Sequence, residues 1–212
     1  MVSIDLHVHS AASFDSQSDP AQVAVTCARL GLHPIVLTDH NSISGALELE
    51  KLGVGRVVIG EEVMTTQGEL IGLFLAQLVP PGLSAKETAD EIKGQRGLVY
   101  LEHPYDAFRR HLTEEAIEEI ADLIDIVEVL NGRSDGQANQ RAQDLCETLG
   151  AAPAAGSDAH TLREIGSVYV EMEGFDGAQD FLRKLGRSAI VKRRSRLMQI
   201  ARSRLGPRMG GK

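Results

Sequence analysis

Near its start the chain reads Ile4-Asp5-Leu6-His7-Val8-His9-Ser10, an apolar run that ends in two histidines separated by one residue. In a β-strand, side chains two residues apart point to the same face. Both imidazoles can therefore reach one point beyond a first strand, and neutral imidazole is a common ligand of zinc, manganese and iron. Asp5 lies two residues before His7, where a carboxylate can bond the second ring nitrogen of a ligand histidine.

Short apolar runs recur along the chain, and most of them end in His, Asp, Glu or Asn. Helix-like segments separate them, with start signals such as Asp19-Pro20 and the capping box Ser84-Ala-Lys-Glu87. Strands are expected at about residues 2–9, 34–39, 56–60, 97–101, 124–130, 153–157 and 168–172, with a hairpin at 63–75. Helices are expected at about residues 20–30, 43–52, 84–95, 113–122, 137–149 and 177–185.

The alternation of strands and helices predicts an α/β fold with parallel strands. An αβ barrel accounts for ligand-type residues after successive strands, because barrel active sites lie at the carboxyl ends of the strands. An open doubly wound sheet would collect such residues mainly at one switch point. The pattern therefore favours a barrel.

The composition is that of a soluble globular protein, with 42% hydrophobic and 25% charged residues among 212. Aromatic residues make up 4% and Trp is absent, which disfavours a stacking platform for single-stranded nucleic acid. The formal net charge is -8, yet residues 181–212 hold 11 of the 22 Lys and Arg residues and no acid. The rest of the chain is strongly acidic, so its general field repels polyanions while it can hold cations locally.

Residues 191–212 are expected to form a basic C-terminal tail. The tail is either a solvated terminus or a contact for nucleic acid or an acidic partner. The sequence shows no signal peptide and no apolar run of membrane-spanning length, so a cytoplasmic protein is expected. Cys27 and Cys146 fall in helix-like patterns and are expected to be buried thiols. The oligomeric state is left open by the sequence.

Nine candidate metal ligands follow the predicted strands. They are His7, His9, Asp15, His40, Glu62, His103, Asn131, Asp158 and His160, with Glu61 as an alternative to Glu62. Nine ligands exceed what one tetrahedral zinc needs. They suit two or three divalent ions that share a bridging carboxylate, which is the usual arrangement for hydrolysis of phosphoesters by a shared hydroxide.

The same segments resemble the PHP (polymerase and histidinol phosphatase) family over about residues 1–190. The motifs that carry this resemblance are, in order, Asp5-Leu-His7-Val-His9-Ser10, Thr38-Asp39-His40-Asn41, Gly60-Glu61-Glu62, His103-Pro104, Glu128-Val-Leu-Asn131 and Gly156-Ser157-Asp158-Ala159-His160. The resemblance implies a distorted (β/α)7 barrel, a trinuclear centre of zinc, manganese or iron at the strand ends, and in many members hydrolysis of phosphoesters.

The resemblance also implies how the ligands are shared. The first ion would be held by His7, His9, Glu62 and Asp158; the second by Glu62, His103 and Asn131; and the third by Asp15, His40 and His160. Two positions depart from the family pattern. Position 131 is Asn where some members have His, and Asn is a weaker, neutral oxygen ligand. Position 15 is Asp where the histidinol phosphatases have His, which argues against histidinol phosphate as the substrate.

The leading hypothesis is a metal-dependent phosphoesterase that acts on a nucleotide, a small phosphate monoester or an oligonucleotide end. A metal-bound hydroxide would attack phosphorus in line, and Asp15 or His160 would manage a proton. Arg133 and Arg163 follow ligand motifs closely and would clamp phosphate oxygens, unless they are surface arginines paired with acids. Two alternatives stay open: a metal-dependent hydrolase of an amide-like carbon–heteroatom bond, and a non-catalytic module associated with nucleic acid.

Overall fold

Nine strands and six α-helices alternate over residues 1–193, the part of the chain that this computed structural model describes. The strands are β1 (Val2–Ile4), β2 (Ile35–Leu37), β3 (Val57–Thr65), β4 (Gly68–Leu73), β5 (Leu98–Leu101), β6 (Ile126–Asn131), β7 (Ala152–Gly156), β8 (Val168–Met172) and β9 (Ala189–Lys192). The helices are α1 (Pro20–Leu30), α2 (Ser44–Leu52), α3 (Ala85–Gly94), α4 (Glu114–Glu119), α5 (Gly136–Leu149) and α6 (Gly177–Leu185).

Six strands form one curled sheet in the order β2-β3-β4-β5-β6-β7. The segment after β1 lies between the two outer strands of this sheet. On one side Val8 forms a parallel bridge with Ala159, and on the other its carbonyl accepts a hydrogen bond from the Thr38 N–H at 2.9 Å. The predicted α/β fold and the distorted barrel are therefore confirmed, with the segment after β1 closing the ring.

The barrel departs from a purely parallel arrangement at β4, which lies between β3 and β5 and pairs antiparallel with both. The sequence predicted this segment as a hairpin that extends the third strand. The hairpin is present, but β4 is also a full member of the sheet. Alternation places Leu98 and Tyr100 of β5 on one face, and Val99 and Leu101 on the other.

Three apolar clusters fill the two sides of the sheet. One cluster takes side chains from strands β1 to β8 and from α6, and its largest buried member is Tyr100. The other two clusters lie between the strands and the helices α1 to α5. The helices begin where the sequence predicts, since the Asp19 carboxylate caps α1 and Ser84 with Glu87 forms the capping box of α3.

The last strand, β9, was not predicted. It pairs antiparallel with β8, which also pairs with β1, so that β1-β8-β9 form a second sheet of three strands. β9 extends into the first residues of the expected basic tail, and residues 194–212 of that tail lie outside the described part of the chain. Within residues 1–193, no helix has the length and apolar character needed to cross a membrane.

Both cysteines are free and buried, as the sequence predicted. Burial raises the pKa of the Cys27 thiol to about 12 and that of the Cys146 thiol to about 11. A thiol with such a pKa stays protonated near neutral pH and is a poor nucleophile or metal ligand. The cysteines therefore belong to the packing of α1 and α5.

Gly156, the last residue of β7, allows the closest approach between β7 and the segment after β1. A Cβ atom at this position would overlap the side chain of His7 and lie 2.7 Å from Glu128 Oε1. We expect Gly156→Ala to lower the free energy of unfolding by about 1–3 kcal/mol, because neither neighbour can move without disturbing the barrel. Thermal unfolding measures this effect.

Gly94→Ala is the matched control, since Gly94 ends α3 and a Cβ there meets nothing within 4 Å. This variant should keep or slightly raise the melting temperature, because Ala favours the helical conformation. A Gly156→Ala protein as stable as the wild type would contradict the close packing of β7 against His7.

Candidate metal centre

Side chains in or directly after three strands meet at one end of the barrel. His7 and His9 follow β1, and their Nε2 atoms lie 3.1 Å apart. Glu62 of β3 places Oε2 3.0 Å from His7 Nε2 and 3.2 Å from His9 Nε2. Asp158, directly beyond β7, places Oδ1 3.8 Å and 3.5 Å from the same two nitrogens. Two imidazoles and two carboxylates, all nearly fully buried, thus face one point.

Glu62 is the central carboxylate of the site. While its Oε2 faces His7 and His9, its Oε1 lies 3.2 Å from Nε2 of His103, which follows β5. Glu61 points to the other side of β3, where its Oε2 accepts a hydrogen bond from the Val79 N–H at 2.8 Å. The geometry therefore selects Glu62 rather than Glu61 as the carboxylate that joins two groups of ligands.

A third group lies nearer to solvent. His160 Nε2 is 2.9 Å from Asp15 Oδ2, and His40 Nε2 is 3.5 Å from the same oxygen. With His9, these residues offer four ligand atoms within 4.8 Å of one another. The structure thus brings Asp15, His40 and His160 together beside the buried group, as the resemblance implies.

Glu128 of β6 orients His7, a role that the sequence analysis gave to Asp5. Glu128 Oε1 lies 3.2 Å from Nδ1 of His7. The Asp5 carboxylate instead accepts hydrogen bonds from the backbone N–H groups of Ser157 and Gly166, each at 2.8 Å. The prediction for Asp5 is therefore wrong, because its side chain turns to the loop after β7. A charged residue inside the apolar run Ile126–Leu130 was the available signal for Glu128.

Asn131, the last residue of β6, does not present its oxygen to the cluster. Its Oδ1 accepts hydrogen bonds from the N–H groups of Arg133 at 2.8 Å and Ser134 at 3.1 Å. Its Nδ2 donates to Glu128 Oε2 at 2.9 Å and to Asp158 Oδ2 at 3.3 Å. In this arrangement Asn131 positions two carboxylates, and its implied role as a metal ligand stays a prediction.

An open cavity of about 600 Å³ lies over the site. Its floor and walls contain six of the candidate ligands, namely Asp15, His40, Glu62, His103, Asp158 and His160. Two exposed aromatic rings, Phe14 and Phe108, stand at this cavity with 75% and 93% of their surface accessible. The cavity is therefore polar at its base and carries apolar rings that a ligand can cover.

Three arginines also line the cavity. Arg133 Nη1 lies 2.6 Å from Nδ1 of His160, and Arg109 Nε lies 3.1 Å from Asp158 Oδ2. Arg110 is the third. Arg163 is exposed and is not among the lining residues, and its role in binding phosphate stays a prediction. Arg109 and Arg110 were missed because they lie in the irregular segment after His103-Pro104, whose path the sequence does not specify.

Opposite charges balance inside the buried group. Burial alone lowers the pKa of His9, but Asp158 and Glu62 outweigh it and raise this pKa to about 9. The carboxylates of Glu128, Asp158 and Glu62 likewise hold the pKa of His7 well above its usual value against the effect of burial. Although burial opposes it, the pKa of Glu62 lies well below its ordinary range because of His7 and His103. Protons on His7 and His9 thus balance the negative charge of the buried carboxylates, as bound divalent ions would.

The donor set fits such ions. Imidazole nitrogens and carboxylate oxygens are ligands of zinc, manganese and iron. Moreover, the buried atoms His40 Nδ1, His103 Nδ1 and Glu102 Oε1 have no hydrogen-bond partner among the described residues. Unpaired buried polar atoms are costly, and bound metal ions would provide the partners that these atoms lack.

A protein-family model matches the part of the chain that contains most of these ligands. The model of the PHP domain matches residues 5–142. The chain belongs to the PHP domain family. A second model, described as PHP-associated, matches residues 136–190, so the two matches together extend from the segment after β1 into β9. The recognition drawn from the sequence motifs is confirmed.

Two relatives come from Methanocaldococcus jannaschii. The chain is 40% identical over 154 residues to the uncharacterized protein MJ1587, covering 65% of this chain and 87% of the relative. It is 35% identical over 175 residues to the uncharacterized protein MJ0417, covering 79% and 69% respectively.

A solved structure shares the fold. It is a two-domain protein from Bacteroides vulgatus that contains a predicted PHP-like metal-dependent phosphoesterase. The TM-score is 0.74 at 19% identity, and the alignment covers 90% of this PHP chain but 64% of the solved chain. The chain thus spans less than two thirds of that protein, and the similarity supports the barrel described above.

Proposed function

We propose that this PHP protein is a metal-dependent phosphoesterase that hydrolyses a small phosphate ester, such as a nucleotide, a phosphate monoester or an oligonucleotide end. The observation that carries the proposal is Glu62, whose two oxygens face separate groups of imidazoles beneath a cavity lined by arginines. A carboxylate in that position can join two neighbouring ions, which is the arrangement typical of phosphoester hydrolysis.

The residues divide into three groups for two or three divalent ions of zinc, manganese or iron. His7, His9, Glu62 and Asp158 would hold a buried ion, Glu62 and His103 a second, and Asp15, His40 and His160 a third. Such ions, when bound, make water nucleophilic at neutral pH and neutralise charge on phosphoryl oxygens.

The arginines of the cavity would bind and orient the phosphate group. The guanidinium of Arg133 lies beside His160, and that of Arg109 beside Asp158, so both stand where a phosphate ester over the ligands would place its oxygens. Planar guanidinium groups match phosphate in a bidentate geometry. Phe14 and Phe108 would cover the organic part of the substrate and exclude water from it.

The pair of Asp15 and His160, nearer to solvent, can donate the proton that the leaving group of the ester needs. His160 Nε2 shares a contact of 2.9 Å with Asp15 Oδ2, at the wall of the cavity. This pair can hold a proton between ring nitrogen and carboxylate, within reach of a bound ester. Asp15 and His160 thus have two alternative roles: they hold the proton where the outer ion does not engage the Nε2 and Oδ2 atoms, and they are ligands of that ion where it does.

The test measures ions and activity on one sample. The protein is purified without chelator, zinc, manganese and iron are quantified per chain, and phosphate release is assayed on nucleotides, phosphomonoesters and short oligonucleotides. The double variant His7→Ala, Asp158→Ala removes two ligands, while His33→Ala removes an exposed histidine outside the site. We expect two or three ions and phosphate release that only the double variant loses.

Two results would contradict the proposal. If the wild type holds no ions after reconstitution with manganese, zinc and iron, the assignment of the ligands fails. If ions are present but hydrolysis is found only with amide-like substrates, the reaction is the carbon–heteroatom hydrolysis that the sequence left open.

A further inference from the structure

Glu102 is a buried carboxylate to which the proposed function gives no role. It directly follows β5 and none of its surface is accessible. Its Oε2 accepts a hydrogen bond from the Ile71 N–H at 3.0 Å, which fixes the carboxylate. Its Oε1 has no hydrogen-bond partner among the described residues. A buried carboxylate oxygen without a partner is costly, so this atom is available to a ligand that is not part of the protein.

Glu102 lies beside the second group of ligands. Glu62, Glu102 and His103 each offer one ligand atom within 4.8 Å of the others, and all three residues are buried. His103 Nδ1 is also without a partner among the residues that the structure describes, and His103 Nε2 already faces Glu62 Oε1 at 3.2 Å. One imidazole and two carboxylates therefore converge on one point, without a ligand atom from Asn131.

Asn131 cannot fill this place in the arrangement observed. Both bonds to its oxygen come from backbone N–H groups, and its amide nitrogen faces carboxylates. An amide nitrogen of this kind is a donor and offers no lone pair to a cation. Of the three residues that the resemblance implies for the second ion, this leaves Glu62 and His103, which is a small protein ligand set.

We propose that Glu102 takes the place of Asn131 and, with Glu62 and His103, forms the protein ligand set of the second ion. The inference rests on the proposed function in one respect, namely that ions occupy this end of the barrel. Replacing a neutral ligand by a carboxylate adds a negative charge and a hard oxygen. The second site should therefore favour manganese or iron(II) more than a histidine-rich site does.

Glu61, which precedes Glu62 in β3, provides a matched control for Glu102. Like Glu102 it is a fully buried glutamate with one oxygen bonded to a backbone N–H and the other without a partner among the described residues. Unlike Glu102, it belongs to no group of converging ligand atoms in the described chain. Glu61→Gln and Glu102→Gln therefore make the same chemical change in similar surroundings, and only one of them touches the proposed site.

The experiment uses Mn²⁺ alone as the probe. Metal-free wild type, Glu102→Gln and Glu61→Gln are loaded with Mn²⁺, ions per chain are counted after gel filtration, and affinities are measured by calorimetry. Loss of a partner of a metal ligand already weakens affinity about 10–100-fold, so loss of a ligand should weaken one site at least that much. We expect Glu102→Gln to hold one ion fewer than the wild type and Glu61→Gln to hold the same number.

The outcomes separate this inference from the proposed function. A Glu102→Gln protein that holds every ion with wild-type affinity overturns the inference alone. A wild type that holds no ion overturns the proposed function as well. Circular dichroism shows whether Glu102→Gln folds. If it does not, Glu102→Asp is used instead, because it keeps the negative charge but draws the carboxylate oxygen back from the site. Weaker binding of one ion by Glu102→Asp is then expected, and wild-type binding overturns the inference.

Discussion

Phosphate release by Glu62→Gln is expected to fall about a thousandfold or more, since the central carboxylate serves two groups of ligands at once. One oxygen of Glu62 faces His7 and His9, and the other faces His103. An amide keeps the size of the side chain but removes the negative charge that neighbouring ions would share. Loss of several kcal/mol of transition-state stabilisation by the ions corresponds to that factor.

The measurement is kcat/KM for a phosphate ester together with ions per chain. Glu61→Gln is the control, because Glu61 is equally buried and differs in pointing to the other side of β3. It should keep both activity and ions. If Glu61→Gln were the variant that loses them, or if Glu62→Gln kept more than a tenth of the activity, Glu62 would not be the shared ligand.

The metal-free protein is expected to lose stability as the pH rises from about 6.5 to 9. The pKa of His9 is about 9 in the folded state, above the ordinary 6.5 of the unfolded chain. A group whose pKa is raised on folding contributes stability that is fully present below its unfolded pKa and is lost as the pH rises through its folded pKa. For His9 the loss amounts to about 3 kcal/mol.

Ions should reverse this trend. A histidine binds a metal in its neutral form, so binding releases protons and becomes stronger as the pH rises. We therefore expect the increase in Tm on adding Mn²⁺ to be small near pH 6 and to grow steadily towards pH 9. Thermal unfolding at several pH values, with and without Mn²⁺, measures both curves.

Two variants isolate the contribution of His9. His9→Asn should weaken the pH dependence of the metal-free protein, because it removes one of the two raised histidine pKa values, and should reduce the effect of Mn²⁺. His33→Asn removes an exposed histidine distant from the site and should leave both curves unchanged. A wild-type Tm that is constant from pH 6.5 to 9 without ions would contradict the charge balance described for the buried group.

Local patterns in the sequence were sufficient for the barrel and for much of the site. His7 and His9 are two apart on an extended segment, and Asp158 follows a short apolar run, so alternation and strand ends place them without further information. The capping residues Asp19 and Ser84 also fixed helix starts correctly. In each of these cases the physical cause lies within a few residues of the position predicted.

What the sequence did not predict depends on contacts between distant segments. Asp5 was expected to bond a histidine ring, but the loop after β7 takes its carboxylate, and Glu128 replaces it from a strand more than a hundred residues away. The orientation of Asn131 depends on the turn that follows it. The path of Arg109 depends on an irregular segment. Such choices are made by tertiary packing, which no local pattern records.

The closing of the barrel by the segment after β1 has a consequence for how the chain folds. Val8 reaches its place between Thr38 and Ala159 only when residues about 150 positions later in the chain have been made and paired. Contacts of such sequence separation form late and slowly. A growing chain therefore cannot assemble the pairing of His7 with Asp158 before β7 exists. Uptake during synthesis of the ion assigned to His7, His9, Glu62 and Asp158 should thus report that the whole ring has closed.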